Sequence, residues 1–260
     1  MLNLPSEPEG SLSKRQRDAF FKLRELLSNL KEADAAYDAL EASKQGTIIS
    51  TDIARFLDES YAKNPTSRQG RDIVPGWDLA WRYAQDRLYR EISNRGQQNR
   101  LRLMAGGWAA GKTFALEKEE TLTPPDLTWD GTLKDIDWAA KIISRALSDG
   151  WKVEVVYVYR DLELAIYGSV ERALEEGRSV PLDEISANHR DVQQSIIQLA
   201  QLFQQEDDVS FLNLHNLGTQ TVPAKTRIID MKELELNGAL HYLRRHEQYY
   251  SEIAKYLSKS

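Results

Sequence analysis

The sequence predicts an α/β protein, a mainly parallel sheet with helices on both faces. Three observations carry this expectation. Short apolar and β-branched runs alternate with segments of helical periodicity along most of the chain. The clearest strand, KVEVVYVYR at 152–160, is apolar enough for the middle of a sheet. A glycine-rich turn at 106–111 follows directly on a second apolar strand, the strand-to-helix connection such a sheet requires.

Residues 1–10 read as a disordered lead. From Ser13 to about Ala42, Phe20, Leu23, Leu26, Leu27 and Leu30 recur at helical spacing. Thr47-Ile48-Ile49 is a short strand, and Ser50-Thr51-Asp52 after it carries the capping chemistry of a strand-to-helix turn. A polar Pro/Gly loop is expected at 62–76, then a long helix with Trp77, Trp81, Ala84, Leu88 and Ile92 on one core-facing stripe. Strand 101–104 leads into the glycine turn and a short helix at 114–120. Leu127-Thr128-Trp129 is a brief strand ending at Asp130-Gly131-Thr132, and 134–149 an amphipathic helix closed by Gly150. After the central strand come helices at 162–176 and about 184–205, a strand at 209–215, a loop with Pro223 and a C-terminal helix to about Tyr256. The expected division is an N-terminal helical extension, 1–45, and one α/β domain, 46–260, with strand 47–50 completing the sheet.

Composition narrows the function. The 260 residues are 41% hydrophobic and 28% charged, ordinary for a soluble globular protein. A net charge of −6 disfavours a broad nucleic-acid-binding face. With no cysteine, disulfides, thiolate metal sites and a cysteine nucleophile are excluded. MLNLPSEPEG has neither a basic start nor an apolar core, and no apolar run approaches the ~20 residues that span a bilayer. The expectation is a cytoplasmic protein that engages neither membrane nor nucleic acid.

RLRLMAGGWAAGKT at 100–113 is the motif that carries chemistry. Gly106, four residues, then Gly111-Lys112-Thr113 match the phosphate-binding P-loop. Gly106, Gly107, Ala109, Ala110 and Gly111 are small enough for backbone N–H groups to converge on a phosphate. Lys112 supplies a charge for the β- and γ-phosphates of ATP or GTP, and the Thr113 hydroxyl is a ligand for Mg²⁺. A helix starting near Thr113 would turn its positive end to the same anion. With the strand alternation, this motif makes the expected fold a three-layer P-loop NTPase/kinase arrangement.

Phosphoryl transfer also asks for a carboxylate near the acceptor and cations around the migrating group. Ligands of α/β sheets bind at the carboxyl ends of the strands, where Asp52 and Asp130 both stand. Arg172 and Arg178 flank a helix end at Gly177, suited to covering a γ-phosphate. Arg160 and Asp161 read as a strand terminus and a helix cap. The four histidines lack metal-ligand spacing and read as surface or packing residues.

GGWAAGKT, WDGTL and KVEVVYVYRDLELAIYGSVERALEEGRSVP, in this order over about 100–215, resemble the zeta-toxin family of P-loop kinases. The resemblance implies a kinase that phosphorylates a hydroxyl of a nucleotide or nucleotide sugar such as UDP-N-acetylglucosamine, with an antitoxin protein as a possible partner and the presence of a separate one left open. It implies that Lys112 and Thr113 are the P-loop pair, that Asp130 and Thr132 contact the sugar nucleotide, and that Arg172 and Arg178 surround the transferred phosphate. The family's base follows the P-loop helix, where this chain has no room for another strand. STDIAR, with Asp52 as base and Arg55 at the substrate, looks like that motif displaced upstream. Asp130 as the base, an NTPase using water as acceptor, and a non-catalytic nucleotide-binding switch remain open alternatives.

Overall fold

The computed structural model describes residues 2–8, 10, 12–63, 74–118, 123–176, 182–217 and 226–229. The helices are α1 (Lys14–Ser28), α2 (Leu30–Asp38), α3 (Thr51–Ala54), α4 (Glu59–Lys63), α5 (Val74–Arg95), α6 (Lys112–Lys118), α7 (Ile136–Ser148), α8 (Leu162–Glu176) and α9 (Leu182–Leu202). The strands are β1 (Ile48–Ser50), β2 (Arg100–Ala105), β3 (Leu127–Asp130), β4 (Lys152–Tyr159), β5 (Val209–Asn216) and β6 (Thr226–Ile229). They form one sheet in the order β1-β3-β2-β4-β5-β6. The first five run parallel, and β6 adds antiparallel to β5.

The register follows from hydrophobicity. Leu101, Leu103 and Ala105 of β2 and Val153, Val155 and Tyr157 of β4 alternate onto one face, which shares a core with α1, α2, α5, α7 and α9. Met104, Val156, Val158 and Leu214 point to the other face, under Ala115 of α6. On that face Arg102 and Glu154, cross-strand partners, form a buried ion pair at 2.6 Å. Arg102 also donates to the Thr123 carbonyl, fixing the chain where it enters β3. Trp151, just before β4, is buried and donates its indole N–H to the Ile92 carbonyl.

The predicted helix from Ser13 to Ala42 is two helices. Ser13 and Gln16 make a capping box at the start of α1, and Asn29 ends it. The stripe at Phe20, Leu23 and Leu27 is buried as its spacing requires. The lead is more ordered than its composition suggests: Leu2 and Leu4 pack on the core, and Pro5 accepts a hydrogen bond from Arg24. β6 falls where the sequence shows only a loop. The expected helix beyond 230 lies outside the described residues, as does 64–73 of the expected polar loop.

Among the described residues, three-residue β1 pairs with β3 alone, Ser50 opposite Asp130. Its open edge is occupied by Tyr37 of α2, whose hydroxyl accepts from Ser50 N–H at 2.9 Å and lies 3.1 Å from the Ile48 carbonyl. The Arg87 guanidinium stacks 4.7 Å from the Tyr37 ring and pairs with Asp34 and Asp38. The helical segment thus shares one core with the sheet. Leu27→Ala is expected to destabilise the whole protein by ~2–5 kcal/mol in a single urea transition, the cost of an internal cavity. A second, separate transition would show a core divided at residue 45.

Candidate functional site

Parallel strands bring their carboxyl ends to one edge, and the chemistry-bearing residues gather there. Ser50 and Asp130 end β1 and β3 side by side, and Gly106 follows β2. The loop after β2 and the turn after β3 touch directly, Gly106 N–H donating to the Thr132 carbonyl at 3.4 Å. Gly131 admits no side chain, because a Cβ would lie 2.4 Å from Trp129 Nε1.

The loop backbone explains its small residues. Gly111 has φ +75°, and a Cβ there would meet Asn216 Nδ2 at 2.4 Å. Ala109 also adopts positive φ, +57°, unusual for a residue with a side chain. Gly106, Gly107 and Ala110 are buried. Lys112 and Thr113 open α6, Thr113 exposed and Lys112 half-buried.

Three consecutive loop carbonyls are taken by side chains from elsewhere. His189 Nε2 lies 2.7 Å from the Trp108 carbonyl. Arg160 Nη1 donates to Ala109 O and Asn216 Nδ2 to Ala110 O, both at 2.9 Å. Asn188 Oδ1 accepts the Trp108 N–H at 3.0 Å. Two expectations are corrected here. His189 is neither a surface residue nor mere packing, and Arg160 does more than end a strand: both hold the glycine-rich loop. The histidine had a sequence signal, since it sits on the apolar stripe of α9, four residues after Ile185 and three before Val192.

Asp130 Oδ1 is shut off from solvent and has no hydrogen-bond partner among the described residues. Burial pushes this carboxyl above the usual carboxylate range. The Lys112 ammonium pulls it back, and the Asp52 carboxylate pushes it further up. Lys112, Asp130 and Asp52 therefore share one electrostatic field.

Asp52 lies in the first turn of α3, which Ser50 caps by accepting the Asp52 N–H. Its side chain is 65% exposed and lies 3.3 Å from Arg55 Nη1. Arg55 itself is buried, its guanidinium 4.4 Å from the Tyr61 ring centroid. Arg55 Nε and Nη2 have no hydrogen-bond partner among the described residues. Arg172 belongs to α8, but its side chain lies outside the described residues, as does Arg178 entirely. His215, on the β5 end, lies 3.5 Å from Asp161.

A mainly parallel sheet whose β2 runs through a glycine-rich loop into a helix opened by lysine is the arrangement of a P-loop α/β fold. The segment 125–235 matches the family model described as Zeta toxin. It contains Asp130, Thr132, Arg172 and Arg178, while the glycine-rich loop and Asp52 precede it. A solved structure described with the PezAT chromosomal toxin-antitoxin system of Streptococcus pneumoniae aligns over 97% of this chain and 89% of that one, at 12% identity and a TM-score of 0.40. No curated protein matches this chain. Among the described residues no helix is long and apolar enough to cross a membrane.

The buried imidazole carries a pH signature. Burial pushes His189 down to about 4, with Lys112 and Arg160 acting the same way and the Trp108 carbonyl opposing them. The unfolded chain takes up this proton near pH 6.5. Its contribution to stability is therefore full above about pH 6.5 and is lost as pH falls toward 4. Urea midpoints measured at neutral pH and near pH 4.5 should show an acid-labile component on the order of 2 kcal/mol. His189→Gln should lack it.

Proposed function

We propose that this protein is a zeta-toxin-like kinase, transferring the γ-phosphoryl group of ATP or GTP to a hydroxyl of a nucleotide or nucleotide sugar. The observation that carries the reading is the convergence, at the carboxyl ends of three adjacent strands, of the glycine-rich loop with its Lys112, the Asp130 end of β3 and the turn after β1 that holds Asp52. A phosphate-binding cation and two acceptor-side carboxylates from three adjacent strands are what in-line phosphoryl transfer needs.

In this reading loop N–H groups and Lys112 hold the triphosphate. Asp52 accepts the acceptor's proton as its oxygen bonds to the γ-phosphorus. The bond from that phosphorus to the bridging oxygen breaks, and its electron pair stays on the diphosphate. Arg172 and Arg178 neutralise charge on the migrating group, and Arg55, Asp130 and Thr132 bind the acceptor. The exposed Thr113 hydroxyl suits Mg²⁺, which keeps most of its shell from water and phosphate oxygens. When bound, Mg²⁺ supplies charge neutralisation across the β- and γ-phosphates. Residues 46–260 are the catalytic unit, 1–45 brace it, and an antitoxin protein is its partner in the cell.

Labelled ATP and GTP, offered with a panel of nucleotides and nucleotide sugars, test the reading. A phosphorylated acceptor is expected, and release of free phosphate alone would move the protein to the water-accepting NTPases. Retained nucleotide without turnover would mark a binding module. Lys112→Ala and Asp52→Asn should each lower transfer at least about a hundredfold. Asp52→Asn should leave nucleotide affinity nearly intact. Normal turnover in that variant, with loss in Asp130→Asn, moves the base to Asp130. Growth arrest on expression, relieved by Lys112→Ala, is the expected cellular counterpart.

A further inference from the structure

Trp108, in the middle of the glycine-rich loop, is gripped at three points by elements far away in sequence. Its N–H goes to Asn188, its carbonyl to His189, and its indole packs against Leu162, Ile166 and Ile185 of α8 and α9. A carbonyl oxygen only accepts, so His189 Nε2 is the donor, which fixes the tautomer. The buried ring sits so close under the loop that a Cβ on Gly107 would lie 2.3 Å from it. The depressed basicity of this imidazole keeps it in the neutral form at physiological pH.

Peptide geometry gives the grip a consequence for the anion. No peptide bond in the described structure is cis, and in a trans peptide the carbonyl of one residue and the N–H of the next point in opposite directions. Holding the Trp108 carbonyl from behind therefore turns the Ala109 N–H to the other side. Asn216, on the Ala110 carbonyl, does the same for the Gly111 N–H. No hydrogen bond among the described residues engages the Ala109 or Gly111 N–H. Without these tethers a loop of small residues has ample freedom to turn carbonyls toward the phosphate, and ordering it would then cost binding energy.

We propose that Asn188 and His189 are positioning residues, which clamp Trp108 so that the loop holds its anion-accepting shape before nucleotide arrives. The proposal rests on the reading of this loop as a nucleotide-phosphate site. It assigns to α9 a role in triphosphate affinity.

Fluorescent ATP and GTP analogues with Mg²⁺, titrated into the full chain, test it on variants whose fold is verified by circular dichroism. His189→Leu keeps volume and loses the donor, and Asn188→Ala loses the acceptor. Each should raise Kd about tenfold or more, the scale of a lost buried hydrogen bond. His189→Gln, which offers an amide N–H to the same carbonyl, should stay within about threefold of the wild type. A folded His189→Leu protein that melts lower but binds with wild-type affinity overturns the proposal, reducing the contact to a structural one. Wild-type affinity in Lys112→Ala removes the phosphate-loop reading itself, a separate failure. If the α9 variants do not fold, hydrogen exchange on ligand-free wild type decides. Protection of the Trp108 amide supports the clamp, and exchange at the rate of an open loop overturns it.

Discussion

A three-residue strand with one neighbour has few ladder hydrogen bonds to hold it, and β1 is such a strand. The Tyr37 phenol stands where a further strand would, accepting from one main-chain group of β1 and facing the carbonyl of another. Burial pushes the phenol far above its usual range, so it keeps the proton that makes it a donor. Arg87 lies across the ring and is anchored by Asp34 and Asp38 of the same helix as Tyr37. Removing one partner from such a buried ionic cluster leaves an uncompensated charge, so its members are interdependent. The position of Ser50, of the α3 turn it caps, and of the Asp52 carboxylate all descend from this contact.

The two halves of the site are built by different physics. Around the ends of β1 and β3 a half-buried carboxyl, an exposed one and a buried guanidinium stacked on Tyr61 depend on electrostatics and partial desolvation. At the glycine-rich loop few side chains belong to the loop itself, and it borrows its shape from Arg160, His189, Asn188 and Asn216. Both halves meet where Gly106 bonds to Thr132, so neither loop moves without straining the other.

Much of this was legible in the sequence where the signal was local. The glycine-rich loop, the strand-end aspartates, the central strand and most helix-stripe positions appear as spacing or pattern within a dozen residues, whereas Trp77, expected on the core-facing stripe of α5, is exposed. The structure places the strand at 48–50 in the sheet, beside β3, with Asp52 just beyond its carboxyl end. What stayed illegible was long-range. Nothing near Tyr37 announces that its hydroxyl replaces a strand, and nothing near Arg160 announces a loop carbonyl fifty-one residues away. β6 was missed because an antiparallel edge strand that finds its partner in β5 needs no strong pattern of its own. His189 was the one readable omission, a polar ring on an otherwise apolar stripe.

The place of β1 in the chain has a kinetic side. Its sheet partner, β3, is synthesised only after β2 and the glycine-rich loop, so their pairing closes a long stretch of polypeptide. The Tyr37–Ser50 contact closes only thirteen residues and can form while the ribosome is still adding the rest. It lets the short strand wait, docked on its helix, for a partner that arrives late. The α9 residues that grip the loop emerge later still. Folding would then assemble the β1 edge with Asp52 first and set the glycine-rich loop near the end, so the two come together only once nearly the whole sheet has been made.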